Sequence, residues 1–509
     1  MPNLYVNDDG NWVTPTQLFI KDSGQWKAAN QVYKKQDDTW TLVHENDRKE
    51  WLLIIGDNTD IFRNSSSYLS LNIDSNGDYI VCGVRYINAA VTTAIYVTKL
   101  TKLGKVVWEK AFNGASTDDV ANRIEGVNLD DSDNIFIAGS VNRSGVYNTS
   151  GFLTKLNSSG EKQWQTRWAY PNDSNGSDYA YDVNFNGSGD AVMGGYADYP
   201  RPYPPGGIQR GSSYTFASSD GTRNNGHAFN GGPSGLSSLR FGEVAKLGTH
   251  FYMQTSGGVT FTPNVGQRGY SAIIKTGLGA DSLVGIKNTY IGSNSNLWRF
   301  RGIKSNGTNL LASAQRSSSN TQTYFVLNDG LSYVAGWTIT DSTTGATTDF
   351  PKARTYVYDG DYCYAVIEST EEVTHFIKFD VTDGSIEWQN KMVGDSSNKT
   401  SDGNPEGVLR LDSSDGGHLV YLSKTDESVI GSTQNVLILW RVPSDGSGQG
   451  TYGNYTYSTS TNIAISSQGD TGGSNPNVSF SSAGPTDYGD PGVGVTSVDF
   501  NSSRTNFRA

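Results

Sequence analysis

Five histidines, two cysteines and several closely spaced acids are the residues of this chain best suited to chemistry. The histidines (His44, His227, His250, His375 and His418) are scattered. No His-Glu-x-x-His, Cys-x-x-Cys or Gly-x-Ser-x-Gly pattern accompanies them. His375 alternates with apolar neighbours and reads as a structural residue of a strand rather than a ligand. Cys82 and Cys363 lie in separate strand-like runs and read as buried free thiols, not a disulfide. The glycines between 231 and 235 neither follow a strand nor open a helix, so they make no phosphate cradle. No catalytic residue is therefore predicted, and the chain reads as a non-enzyme. Two carboxylates distant in sequence still suffice for glycoside hydrolysis once a fold brings them together. No motif here marks such a pair.

Asp74, Asn76 and Asp78 alternate around Gly77, the arrangement of oxygen ligands in a calcium loop. Asp130, Asp131 and Asp133, and then Asp173, Asn175 and Asp178, are looser versions. The later bidentate acid of an EF-hand loop is missing, and Asp, Asn and Gly are also what a tight turn requires. The expectation is a plain turn, with no metal site and no cofactor; calcium at Asp74, Asn76 and Asp78 is the alternative. The main candidate for ligand binding is a Pro-rich insertion, Tyr196-Ala-Asp-Tyr199-Pro-Arg201-Pro-Tyr203-Pro-Pro, running on through Arg210 and Tyr214 to about Leu239. Proline would hold the rings of Tyr199, Tyr203 and Tyr214 at low entropic cost, and with Arg201 and Arg210 they suit stacking on sugars. A long surface loop packed on a neighbouring subunit would have the same composition.

The elements that must position these residues are set by repetition. A turn-then-strand phrase recurs as Ile73-Asp-Ser-Asn-Gly77-Asp-Tyr, Leu129-Asp-Asp-Ser-Asp133-Asn-Ile and Phe185-Asn-Gly-Ser-Gly189-Asp-Ala, with turns 56 residues apart. Weaker copies place turns at Gly248, Gly307, Gly360 and Gly416, giving seven units. Within each unit a second phrase follows, clearest at Lys99 to Trp108, Lys155 to Trp164 and Lys378 to Trp388. Apolar and polar residues alternate, break at a Gly turn, and resume with an aromatic. That is the pattern of antiparallel hairpins, about four strands per unit. Seven such units resemble a β-propeller over roughly residues 51–445. The run Trp51-Leu-Leu-Ile-Ile55 precedes the first full unit and is expected to pair with the last, closing the ring.

A second, shorter repeat opens the chain: Trp12, Trp26 and Trp40 each end a near-copy of one phrase, 14 residues apart. Three copies make about six short strands, each hairpin marginal alone. Phrases of the type Y-V-x-D-x-G-x-W resemble those near the N-termini of virion structural proteins of marine bacteriophages, especially cyanophage tail and fibre proteins. The resemblance implies that Trp12, Trp26 and Trp40 belong to a module that attaches the protein to the particle.

Composition fits an all-β protein: 59 Gly, many Ser, Thr, Asn and Tyr, and 18% charged residues. The net charge of −12 is spread thinly, without a basic stripe, so nucleic acid is not an expected partner. No apolar stretch is long enough to cross a bilayer, and the N-terminus lacks the pattern of a secretory signal. The expectations are an attachment module at 1–46, a seven-bladed propeller at 47–445 and a polar, linker-like segment at 446–509 that packs against it. Function is expected in a virion, after synthesis in the host cytoplasm, as a tail-associated structural or receptor-binding protein. Partners would be other virion proteins and a host surface glycan, in a symmetric assembly of several copies. A virion-borne polysaccharide-degrading enzyme and a capsid-decorating protein are the alternatives.

Overall fold

A computed structural model describes the strands of the chain and the tight turns inside them. The longer connections, including 56–68, 113–119, 143–148, 170–178, 200–207, 231–239, 257–271, 290–297, 344–354 and 427–434, lie outside the described residues, as do most residues between the short strands of 1–49 and 469–509. The chain divides into two compact units, Met1–Glu50 and Trp51–Ala509.

The first unit holds three antiparallel hairpins: Val6–Asp8 with Asn11–Val13, Leu18–Asp22 with Gln25–Ala29, and Gln31–Gln36 with Thr39–Glu45. Each forms its own two-stranded sheet. Their registers place Trp12 opposite Asn7, Trp26 opposite Lys21 and Trp40 opposite Lys35. The 14-residue phrase is thus one hairpin, repeated.

The second unit is a seven-bladed β-propeller. Its blades begin with the inner strands Ser70–Ile73, Val120–Leu129, Tyr179–Phe185, Arg240–Leu247, Trp298–Ser305, Tyr356–Asp359 and Val408–Asp412. Each continues outward as an antiparallel meander. Neighbouring inner strands touch all the way round, and the inner strand of blade 7 meets that of blade 1. The first hairpin turn of every blade falls where the repeat places it. The backbone has positive φ at Gly77, Asp133, Gly189, Gly248, Gly307, Gly360 and Gly416, the conformation that glycine, and next asparagine or aspartate, adopts at least cost.

The ring closes as the repeat predicts. Trp51–Ile55 is the fourth strand of blade 7, antiparallel to Asn435–Pro443 from Leu437↔Ile55 to Arg441↔Trp51. All five of its residues are buried, because both its faces lie between blades. Leu53 and Ile55 pack with Leu71, Tyr79 and Val81 of blade 1, while Leu52 and Ile54 pack with Val366 and Phe376 of blade 6. Apolar cores of this kind separate adjacent blades, so a single blade would leave both of its faces wet.

The polar C-terminal segment is not a linker. Its short strands add themselves to the outer edges of the blades, one blade after another, in reverse order. Tyr455–Thr459 joins blade 6 and Ile463–Ser467 joins blade 5. Gly472–Gly473, Ser479–Ser481, Thr486–Asp487 and Val495–Thr496 follow on blades 4, 3, 2 and 1. Arg504–Phe507 then pairs with Trp51–Ile55 on blade 7. Strand twist explains the path. At roughly 20–25° per strand, a fifth strand is turned by roughly 80–100° from the innermost, so a chain leaving it runs around the ring. Composition read this segment as linker-like because its residues pair through backbone groups and bring few apolar side chains. Tyr455, Tyr457 and Ile463 are among the exceptions that are buried.

Candidate functional site

The inner strands surround a central cavity of about 410 Å³, lined by polar and charged residues from several blades. Asn72, Asn128 and Asn184 occupy the same place in blades 1, 2 and 3, each 56 residues from the next. Each passes its side-chain amide to the following blade. Asn72 Nδ2 donates to the Val127 carbonyl at 3.2 Å, Asn128 Nδ2 to Val183 at 3.0 Å and Asn184 Nδ2 to Val244 at 3.1 Å. The three form a ladder that stitches four inner strands together. Its signal lay in the sequence, in the phrases Asn72-Ile-Asp, Asn128-Leu-Asp and Asn184-Phe-Asn, but the eye is drawn to the turn that follows them.

Three carboxylates also line the cavity: Glu125, Asp182 and Glu243. Asp182 accepts from the backbone N–H of Val183 and from that of Val244 in the next blade, both at 3.0 Å. Glu243 accepts from the N–H of Ile303 at 3.1 Å and from Lys304 Nζ at 2.7 Å, again in the next blade. Glu125 lies 3.7 Å from the Arg123 guanidinium. Blades 2 and 3 approach closely here because residue 126 is glycine; a Cβ would come 2.7 Å from the Asp182 backbone. Asp182 and Glu243 thus anchor blade to blade. Lys246 and Arg410 bring positive charge to the same cavity, which can accept a small polar molecule.

The seam between blades 7 and 1 carries a buried ion pair that no sequence spacing announced. Arg441 Nη2 lies 3.1 Å from Asp412 Oδ2, with their side chains 1% and 2% exposed. Tyr79 of blade 1 donates to Asp412 at 2.8 Å and accepts from Arg441 Nε at 2.6 Å. Burial raises the Asp412 pKa, but hydrogen bonds from Ser414, Tyr79 and Arg441 outweigh it and hold the carboxyl below its usual range.

The proposed glycan-binding constellation is only partly placed. Tyr199 and Arg210 fall on adjacent strands of blade 3, Ala191–Tyr199 and Ile208–Phe216, where Tyr199 pairs with Ile208 and Arg210 with Ala197. Arg201 and Tyr203 lie outside the described residues. Tyr214 is not exposed. It is 1% exposed and packs with Met193 and Ala191, because it alternates onto the inter-blade face of its strand. For Trp12, Trp26 and Trp40 the described residues give strand position and register alone.

At the candidate calcium loop, Asp74 Oδ1 accepts from the N–H groups of Asn76 and Asp78, both at 2.9 Å, as a tight turn requires. Lys99 Nζ sits 2.6 Å from Asp74 Oδ2 and 3.4 Å from Asp78 Oδ2. Burial disfavours the Lys99 ammonium, yet the two carboxylates outweigh it and raise its pKa. Calcium bound by Asp74 and Asp78 would have to displace that ammonium. Among the described residues no three His, Cys, Asp or Glu side chains stand together as a metal site, and no helix is long and apolar enough to cross a membrane. His375 is buried between Thr343 Oγ1 at 2.9 Å and Ser460 Oγ at 3.0 Å, and Cys82 and Cys363 are buried free thiols, as the sequence reading expects.

No known family matches the chain by sequence, and neither does any curated protein. Similar solved structures include a protein from Lactobacillus plantarum, at 12% identity and a TM-score of 0.41, covering 66% of this chain and 94% of that one. A polysaccharide lyase is similar at 8% identity and a TM-score of 0.41, covering 76% and 100%. A subtype N10 neuraminidase-like protein of A/little yellow-shouldered bat/Guatemala is similar at 10% identity and a TM-score of 0.37, covering 64% and 94%.

Proposed function

We propose that this protein is a structural component of a phage particle, tail-associated, working in assembly or host-surface binding by contact rather than by turnover. The observation that carries the non-catalytic part is the use made of the central acids. Asp182 and Glu243 spend their oxygens on N–H groups and an ammonium of the next blade, where a hydrolase would turn them to substrate. The attachment part rests on the three hairpins of the first unit and on the phage-like phrase that each repeats. Similar hairpins in tandem suit a partner that offers equivalent surfaces, as a symmetric virion does. The partners on this reading are other virion proteins and a host surface glycan, with the Tyr199–Arg210 hairpin as the glycan-facing element.

The second reading is a polysaccharide-degrading enzyme carried on the particle, favoured by one observation: the central cavity gathers Glu125, Asp182 and Glu243. Incubation of purified protein with host surface polysaccharide separates the two. The contact reading expects retention of polysaccharide without new reducing ends. Release of reducing ends that disappears with Asp182→Asn or Glu243→Gln would replace it with the enzymatic one.

A further inference from the structure

The chain circles the propeller axis twice, in opposite senses. Going forward, it lays down blades 1 to 7. Going back, its last strands visit blades 6, 5, 4, 3, 2 and 1 and finish on blade 7. Every boundary between blades is therefore crossed by two stretches of chain. The seam between blades 7 and 1 is the special one, because the closing strand Trp51–Ile55 is joined to blade 7 by hydrogen bonds and not by sequence. The return circuit ends on that strand: Arg504 pairs with Ile55, Thr505 with Ile54, Asn506 with Leu53 and Phe507 with Leu52.

We propose that the C-terminal strand Arg504–Phe507 is a lock on the seam of the ring, holding the N-terminal closing strand between two partners so that the propeller opens slowly. Without it, Trp51–Ile55 would be an edge strand with one row of N–H and C=O groups unpaired. With it, the strand is bonded on both sides, to Asn435–Pro443 and to Arg504–Phe507. The closing strand also carries one of the hydrogen bonds across the seam, Trp51 Nε1 donating to the Lys102 carbonyl of blade 1 at 3.0 Å. Peeling it away would break that bond and uncover five buried residues. The intermediate strands, on blades 4 to 1, pair over only two or three residues each. They guide the segment around the ring, and its last strand holds the end.

Order of formation decides which rate the lock affects. Arg504–Phe507 has an edge to join only after the closing strand has docked on blade 7. Its contacts are absent from the transition state for folding, and such contacts slow unfolding without speeding folding. This inference does not depend on the proposed function.

Two truncations of the full chain test it, one ending at Ser503 and one ending at Gln468. Removing Arg504–Ala509 alone is expected to speed unfolding in guanidinium by about tenfold or more while refolding stays within about twofold. Amide exchange should quicken in Trp51–Ile55 at the groups facing the missing strand. The longer truncation should add little to either effect. An unfolding rate that matches the full chain, or a loss that appears only with the longer truncation, would overturn the lock. Should the truncated chains not fold, the full-length variant carrying Thr505→Pro and Asn506→Pro decides. Between them the two prolines remove whichever N–H faces the closing strand. Unfolding of that variant at the parental rate overturns the proposal as well.

Discussion

Trp164 of blade 2 lies flat against Gly221 of blade 3, so close that a Cβ on residue 221 would come 2.5 Å from its Cε3. The same indole donates Nε1–H to the Ser218 carbonyl of that turn at 3.0 Å. This clasp recurs around the ring. Trp108 donates to Ser158, Trp337 to Val381, Trp388 to Ser444 and Trp51 to Lys102, each across a blade boundary. Between blades 4 and 5 the clasp is polar: Lys275 Nζ reaches Asp329 Oδ2 at 2.9 Å, and Tyr252 donates to the Asp329 carbonyl at 2.8 Å.

Gly221→Ala should therefore destabilise the propeller by ~2–4 kcal/mol, combining a φ of 73° with overpacking against the indole. Gly187→Ala, whose Cβ would meet nothing within 4 Å, should stay within ~0.5 kcal/mol of the parent. Guanidinium midpoints of the two variants, measured side by side, check the contrast.

At the seam, Asp412→Asn or Arg441→Met should each cost about 3–5 kcal/mol, because the remaining charge stays buried without its partner. The double variant should cost clearly less than the sum of the two. A double-mutant cycle in denaturant is the check, and simple additivity would contradict the pairing.

Burial lowers the His375 pKa to about 4, from an ordinary value of 6.5. A folded-state pKa below the unfolded one gives stability that is present above pH 6.5 and lost as the pH falls toward 4. The lost amount is on the order of 3 kcal/mol. His375→Gln should flatten stability across that interval while leaving the slope below it, where Asp412 and other depressed carboxylates protonate. Denaturation midpoints between pH 4 and 7 would show it.

Much of the fold was legible in the sequence. The spacing of Gly77, Asp133 and Gly189, and the apolar alternation after each, specify blades because turn chemistry and strand period are local properties. Trp51–Ile55 could be assigned to closure for the same reason, as a strand with no unit of its own. The C-terminal strands were not legible: Gly472–Gly473 and Thr486–Asp487 bond through backbone, and backbone bonding leaves no mark on composition. The seam of Tyr79, Asp412 and Arg441 was equally hidden, since Tyr79 and Asp412 stand 333 residues apart. Tyr214 was misread because the tyrosines around it suggested one exposed cluster, whereas strand alternation turns it inward.

We propose that the hairpins of Trp12, Trp26 and Trp40 fasten the propeller to a virion, and deleting residues 1–46 measures that directly. The shortened chain should fold with the near-UV spectrum of the propeller and be missing from purified particles. Particles carrying it at the full-length level would contradict the assignment.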